Sequence, residues 1–288
     1  MDPSKNVDIG SSLIYMTVKK ALNTDTGALI GRNGTIELEQ MIQVNPQSLH
    51  ILERNAGVFP IALHSIFYKW QALSIAATKA ADVLATGWYE PLKEAELIAL
   101  QAWDAKAKHI PLRSLEPYYA QHDLQWTSLL EGQRVAVVTS FTKTAMAQSE
   151  RLHEVWGSNL LIPSSVEWCW IQTGYSRAVA QGTGEWPPEI HTCIQAIDYV
   201  VAEVMKSGAR FALIGCGGLG MPIAKALKDR GIIAIVLGGS IQVLFGIKGR
   251  RWETHSVVSR FWNDAWVWPS KDETPANAAA IEGACYWA

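Results

Sequence analysis

The chain has 288 residues, of which 49% are hydrophobic and 18% are charged, and its formal net charge is −2. This balance is typical of a globular protein with a sizeable core and argues against disorder, nucleic-acid binding and attraction to a charged membrane surface. The chain has neither an apolar run of membrane-spanning length nor an N-terminal signal-peptide pattern. We therefore expect a soluble, cytoplasmic protein without membrane insertion.

The first half of the chain alternates between helical and extended patterns. Residues 11–22 have helical spacing of apolar side chains, and a short strand follows from Ala28 to Ile30. A turn at Asn33 and Gly34 then leads into a helix that starts near Thr35. Further along, a helix that begins near Gln71 runs into a strand at 83–86. We expect a helix over 94–107, and a loop followed by a helix over 112–133.

The second half repeats the order of strand, turn and helix. This order is expected over 134–156. A strongly amphipathic helix is expected over 191–209, and a further strand over 231–240. The tail from Phe245 should be irregular and wrap over the edge of the sheet. Alternating strands and helices predict an α/β fold, Rossmann-like, with a mainly parallel sheet and helices on both faces. With no linker or repeat, we expect residues 1–288 to form a single domain.

The segment 211–231, FALIGCGGLGMPIAKALKDRG, carries the strongest local signal. Gly215, Gly217 and Gly220 have G-x-G-x-x-G spacing, and helix N-termini after such turns bind phosphate groups. A nicotinamide site also needs an acidic residue at the end of the next strand, where this chain has Gly238, Gly239 and Ser240. We therefore expect no NAD. A tight helix–sheet junction without a ligand is the alternative.

A second glycine turn follows the next strand. Gly238 and Gly239 precede three cations within four positions, Lys248, Arg250 and Arg251. Such cations are suited to neutralising a diphosphate. A short basic run is equally typical of a solvated face.

The stretch LIGCGGLGMPIAKALKDRGIIAIVLGGSIQVLFGIKGRRW, over 213–252, resembles the C-terminal half of the GT-D glycosyltransferases, a family first catalogued as a bacterial domain of unknown function. SLEPYY…WTSLLEGQRVAVVTSFTKTAMAQ in the middle, IEGACYW near the end and IGRNGTIELEQM near the start are also similar to that family. The resemblance implies a Rossmann-like domain that transfers a sugar from a nucleotide sugar, typically a UDP-sugar, to a glycan or glycoconjugate acceptor.

The resemblance also implies a donor site with an R-x-G-D-x-E segment, whose Asp-x-Glu pair helps to bind the donor with a divalent metal such as Mn²⁺ or Mg²⁺. Arg32, Gly34 and Glu37 match this segment, whereas Thr35 stands where the family has Asp. A hydroxyl is a poor ligand for a hard cation beside a carboxylate. Either Glu37 binds the cation together with phosphate oxygens, or the enzyme works without metal and uses basic residues.

The turns that follow parallel strands should converge at the carboxyl edge of the sheet, where ligands bind in such folds. The donor-binding residues expected there are Arg32, Asn33, Gly34, Thr35, Gly215, Gly217, Gly218, Gly220, Gly238, Gly239, Gln242, Lys248, Arg250 and Arg251. Some of them would stabilise the charge that builds up on the departing diphosphate.

Glu37 is the leading candidate for the catalytic base that takes the proton of the acceptor hydroxyl. An acid in the first turn of a helix also simply complements the helix dipole. Trp252, His255 and Asp264 are lesser candidates for the acceptor side. Hydroxyls among 139–143 are expected to cap the helix that follows them rather than to bind a ligand.

Two other functions are compatible with these residues. One is an NAD(P)-dependent Rossmann oxidoreductase, and the other is a non-catalytic module that binds nucleotide sugars or glycans. Most of the 13 tryptophans are expected to pack in the core or at its rim. The apolar, Trp-rich tail could also serve a homodimer contact.

Overall fold

The computed structural model describes residues 3–288, and their side chains from Asn6 onward. Residues 1 and 2 belong to the stretch considered for a signal peptide and lie outside the described part. The strands are β1 (Ala28–Arg32), β2 (Val83–Ala85), β3 (Lys108–Ile110), β4 (Arg134–Thr139), β5 (Glu167–Gln172), β6 (Phe211–Gly215) and β7 (Ile233–Val236). The α-helices are α1 (Pro3–Asn23), α2 (Thr35–Ile42), α3 (Leu49–Ala56), α4 (His64–Ala80), α5 (Lys93–Ala102), α6 (Thr142–Ser149), α7 (Leu152–Trp156), α8 (Arg177–Ala180), α9 (Cys193–Ser207), α10 (Gly220–Lys228), α11 (Ser240–Leu244) and α12 (Arg250–Glu253).

The seven strands form one sheet in the order β3-β2-β1-β7-β6-β4-β5. Every neighbouring pair is parallel. The predicted fold class is therefore confirmed. Because all strands point the same way, the segments that follow them meet at one edge of the sheet.

Alternation along each strand sends side chains into two apolar cores, one on each face of the sheet. In β4, Val135 and Val137 enter the first core, whereas Ala136 and Val138 enter the second. Residues of α1, α6, α7 and the C-terminal tail complete the first core, and α3, α4, α9 and α10 complete the second. Helices thus cover both faces, as the sequence pattern predicts.

The helix α9 shows why its segment folds as the sequence predicts. Thr192 and Gln195 form a capping box at its start, with the Gln195 amide N–H donating to the Thr192 hydroxyl at 3.2 Å. At its end Gly208 takes the left-handed conformation that stops a helix, with φ of +69°. None of the helices in residues 3–288 has the length and apolar character needed to cross a bilayer.

The prediction of a helix within 112–133 is wrong. This segment forms four short 3-10 helices instead, over Leu112–Leu115, Pro117–Tyr119, His122–Leu124 and Trp126–Leu130. The buried indole of Trp126 donates to the Leu115 carbonyl at 3.1 Å. This contact ties the last of these short helices to the first without a continuous helix between them.

The strands β3 and β5 and the helix α3 were not predicted. The strand β3 has only three residues, of which Lys108 and His109 are exposed, so no apolar run marks it. The irregular tail is confirmed, although it contains α12 and several 3-10 turns. Trp266 and Trp287 of the tail pack inside the chain's own first core, which removes them from any dimer contact.

The prediction that hydroxyls among 139–143 cap the helix α6 is wrong. The cap position is Phe141, and the carboxylate of Glu273 in the tail accepts from the backbone N–H of Lys143 at 2.7 Å and of Thr144 at 3.2 Å. A buried carboxylate placed there satisfies free N–H groups and complements the helix dipole. The tail is thereby fastened to the edge of the sheet.

Candidate functional site

A cavity of about 550 Å³ lies at the carboxyl edge of the sheet. Residues that follow every one of the seven strands contribute to its wall, from Arg32 after β1 to Gly238 after β7. The volume is within the range of small-molecule sites. The expected convergence of the strand-following turns at one edge is therefore observed.

Arg32, at the end of β1, is one of the cations that line this cavity. Its guanidinium lies 5.2 Å from the centre of the Trp88 ring, and it also contacts Gly238, where an added Cβ would overlap Nη2. Among the side chains described from Asn6 onward and the backbone of residues 3–288, no group forms a hydrogen bond or an ion pair with the Arg32 side chain. A positioned guanidinium with unused donors is suited to a phosphate or carboxylate of a ligand.

Glu37 lies in the first turn of α2 and lines the same cavity. Its carboxylate folds back over Gly34, where a Cβ would overlap Oε2. Burial raises the pKa of Glu37 above its usual range, and Glu282 adds to the rise. A backbone N–H and the Arg32 guanidinium act in the opposite direction. The result is a carboxyl group held near a cation with increased basicity.

Of the three predicted cations of the basic run, only Arg251 lines the cavity. Its guanidinium lies 4.6 Å from the centre of the Tyr286 ring, donates to the Tyr286 hydroxyl at 2.8 Å, and forms an ion pair with Glu282 at 2.8 Å. Lys248 instead lies over the Trp262 ring at 5.4 Å, and Arg250 is exposed.

The predicted glycines divide into two groups. Gly215, Gly217, Gly238 and Gly239 line the cavity, whereas Gly218 and Gly220 do not. At Gly217, with φ of +51°, a Cβ would lie 2.8 Å from the Ala56 carbonyl oxygen. The Gly218 carbonyl accepts the Trp70 indole N–H at 2.8 Å. Close packing of protein therefore explains part of the glycine pattern, as the ligand-free alternative supposed.

The remaining predicted residues are also dispersed. Gly34, Thr35, Trp252 and His255 line the cavity, whereas the exposed Asp264 does not. Asn33 is buried, and its amide donates to the Thr78 hydroxyl at 3.2 Å, so it holds β1 against α4.

Gln242 lines the cavity and is almost completely buried. Its Nε2 donates to the Tyr286 carbonyl at 3.1 Å, and its Oε1 has no partner among the described residues. The amide therefore fixes the tail segment that forms one wall of the cavity.

The sequence did not single out Trp88, Arg113, Glu116, Glu282 or Tyr286, all of which line the cavity. Arg113 and Glu116 follow the short strand β3, which has no apolar pattern. The only signal in the sequence is the segment SLEPYY, which has family resemblance: Arg113 directly precedes it, and Glu116 is its third residue. Glu282 and Tyr286 lie in the tail segment IEGACYW, which also has family resemblance, but nothing in that segment marks either residue as part of a site.

The cavity has no preformed metal site among the described residues. The described residues contain no group of three His, Cys, Asp or Glu side chains with metal-binding geometry. The positive charge of Arg32 acts on the Glu37 carboxyl group, and Glu282 forms an ion pair with Arg251. Metal binding by Glu37 would therefore also need oxygen ligands from the donor phosphates and from water.

The chain matches no family model and no curated protein. Two solved structures are similar to it at 12% sequence identity, each over 80% of both chains and with a TM-score of 0.45. One is a selenomethionine-substituted structure of the domain of unknown function 1792, and the other is a structure of that domain described as a distinct glycosyltransferase fold. A likeness at this level is too low to bear on the function of the chain.

Proposed function

We propose that the chain is a glycosyltransferase that moves a sugar from a nucleotide-sugar donor, a UDP-sugar first of all, to a glycan or glycoconjugate acceptor. One observation carries the proposal: at the cavity, Arg32 presents a guanidinium that has no hydrogen-bonding partner among the described residues, and the carboxyl group of Glu37 lines the same cavity within its electrostatic influence. The resemblance of the segments around Arg32 and over 213–252 to GT-D enzymes supplies the reaction class.

In this proposal Arg32 binds the diphosphate of the donor. Departure of the nucleoside diphosphate places a growing negative charge on its β-phosphate, and a fixed cation aimed at that charge lowers the barrier. Trp88 and Gly238 fix the guanidinium before the ligand arrives. Arg251 adds positive potential from the neighbouring wall, reduced by its pairing with Glu282.

Glu37 acts as the general base. The acceptor hydroxyl oxygen forms a bond to the anomeric carbon while the bond from that carbon to the diphosphate oxygen breaks. The electron pair of the broken bond leaves with the diphosphate, and the hydroxyl proton passes to the Glu37 carboxylate. The burial that raises the pKa of Glu37 makes its carboxylate a stronger base for this step.

The oxidoreductase alternative has less support. The residues after β7 are Leu237, Gly238 and Gly239, so no carboxylate stands where a nicotinamide ribose would be bound. A non-catalytic binding module would use the same cavity and the same arginine. It differs from the proposed enzyme only in that it leaves the donor intact.

A thermal-stability screen tests the proposal. A ligand that binds only the folded state raises the melting temperature. UDP, GDP, dTDP, CMP-linked sugars and NAD are compared, each with and without Mn²⁺. We expect UDP or a UDP-sugar to stabilise the protein equally in both conditions. Stabilisation by NAD without any response to a sugar nucleotide would overturn the proposal.

A further inference from the structure

A second polar group, outside the residues assigned to the donor, lies on the cavity wall. It consists of Arg113 and Glu116, which follow β3, and His255, which follows α12. Nη1 of Arg113 donates to both carboxylate oxygens of Glu116, at 3.1 and 2.8 Å. The guanidinium lies 5.0 Å from the centre of the Tyr119 ring. One side of the guanidinium is thus fixed by protein, and Nη2 faces His255.

The hydrogen bonds of His255 determine which ring nitrogen carries the proton. Its Nδ1 accepts from the backbone N–H groups of Val257 at 3.2 Å and Val258 at 3.3 Å. The proton of the neutral ring is therefore on Nε2. Burial, and then the charge of Arg113, lower the pKa of His255, which keeps the ring neutral near pH 7.

This arrangement sets two donors against each other. Nη2 of Arg113 lies 3.2 Å from Nε2 of His255, and each of these nitrogens carries a hydrogen. Two N–H groups cannot hydrogen-bond to each other, so both need an acceptor. An oxygen anion placed in the cavity between them would accept from both.

The position of this group separates it from Arg32. Arg32 ends β1 and Arg113 follows β3, with β2 and its turn at Trp88 between them. Two strand spacings correspond to about 10 Å. Each guanidinium also has its own aromatic neighbour, Trp88 for Arg32 and Tyr119 for Arg113, so the two cations are held at different places on the cavity wall.

We propose that Arg113 and His255 form a second oxyanion subsite, which binds a carboxylate or a phosphate monoester carried by the acceptor. This inference rests on the proposed function, because the diphosphate of the donor is assigned to Arg32. The acceptor is then an anionic glycan or glycoconjugate rather than a neutral one. Arg113 and His255 would determine acceptor specificity, and Glu116 would position Arg113.

The test follows the ring nitrogens of His255 by NMR in protein labelled with ¹⁵N-histidine, with the signal assigned from His255→Gln. Inorganic phosphate and glucuronate are the two anion probes, and glucose is the uncharged control, all at constant ionic strength. We expect a saturable shift of the His255 Nε2 signal with at least one anion and none with glucose. The anion that binds more tightly identifies a phosphate or a carboxylate acceptor.

Arg113→Lys keeps a cation for the buried Glu116 but loses the guanidinium fork, so it should fold and should weaken anion binding at least tenfold. Arg32→Gln should leave this binding unchanged within twofold. No saturable shift, an equal affinity in Arg113→Lys, or loss only in Arg32→Gln would overturn the inference. A His255 response without any sugar-nucleotide turnover would instead refute the proposed function and leave the anion subsite standing.

Discussion

The guanidinium of Arg32, at the end of β1, lies directly on the backbone of Gly238, in the turn after β7. This contact joins the turn that carries Glu37 to the second glycine turn, although more than 200 residues separate Arg32 from Gly238 along the chain. Glycine is favoured at position 238 for two reasons: its φ is +59°, and an added Cβ would overlap Nη2 of Arg32.

Gly238→Ala should therefore impair donor binding more than folding. The overlapping atom is the far end of a flexible side chain, so Arg32 moves away and leaves its place over Trp88. The left-handed φ costs roughly 1–2 kcal/mol of stability. We expect UDP affinity, measured by calorimetry, to fall about tenfold or more, as for loss of one charge-assisted hydrogen bond.

Gly231→Ala is the matched control, because Gly231 also has a positive φ, of +84°, and has open space around it. It should lose similar stability and keep its affinity for UDP. Equal affinities in both variants would show that the contact with Arg32 has no role in binding.

Glu37→Gln should abolish transfer while leaving the fold intact. Removal of a general base typically costs about 10²- to 10⁴-fold in rate. In the wild type, the pH–rate profile should rise with pH through a midpoint above the usual glutamate value of 4.5, because burial raises the pKa of Glu37. Turnover that is unchanged in the variant would remove Glu37 from the mechanism.

Glu37→Gln should also change how the stability of the protein depends on pH. A carboxyl group whose pKa is raised by folding stabilises the protein most below pH 4.5, and this contribution is lost as pH rises through the folded-state pKa. Glutamine does not ionise. The melting temperature of Glu37→Gln minus that of the wild type should therefore increase as pH rises from 4.5 to neutrality. A constant difference across this range would contradict the assignment of the shift.

Gly217→Ala should be more damaging than its φ alone explains. Its φ of +51° and its 2.8 Å approach to the Ala56 carbonyl oxygen both oppose a Cβ, and this neighbour is backbone that cannot swing away. We expect a loss larger than the roughly 1–2 kcal/mol of a left-handed alanine, measured by urea unfolding. A loss of stability equal to that of Gly231→Ala would mean that the end of α3 at Ala56 moves away from the added Cβ without destabilising the protein.

Glu273→Ala should destabilise the tail. The substitution leaves the backbone N–H groups of Lys143 and Thr144 without their acceptor, which costs about 2–3 kcal/mol for a buried, charge-assisted site. It also loosens the segment that carries Tyr286 into the cavity. Urea unfolding followed by tryptophan fluorescence measures both effects. Asp272→Ala, at the exposed neighbouring position, should change little, and equal losses would argue against the cap.

Sequence patterns predict the parallel sheet well because most of its strands are followed by a turn and an amphipathic helix. They fail at β3, where three residues are held by pairing with β2 rather than by an apolar run of their own. Arg113, which follows β3, was missed for that reason.

Spacing also cannot show what a glycine is approached by. Gly217 and Gly238 each stand two residues after the end of a strand, yet a backbone carbonyl excludes a Cβ at the first and an arginine side chain at the second. In the basic run, neighbours on a short helix point in different directions, so that Arg251 enters the cavity while Arg250 faces solvent.

The most direct test of the central claim measures release of UDP from a UDP-sugar in the presence of glycan acceptors. Wild type is compared with Arg32→Gln and with Arg230→Gln, a control at an exposed arginine outside the cavity. We expect the first variant to lose about 10- to 100-fold in kcat/KM, the value of a charge-assisted contact to phosphate, and the second to match the wild type. Equal turnover in Arg32→Gln and the wild type, or UDP binding without any turnover, would contradict the account.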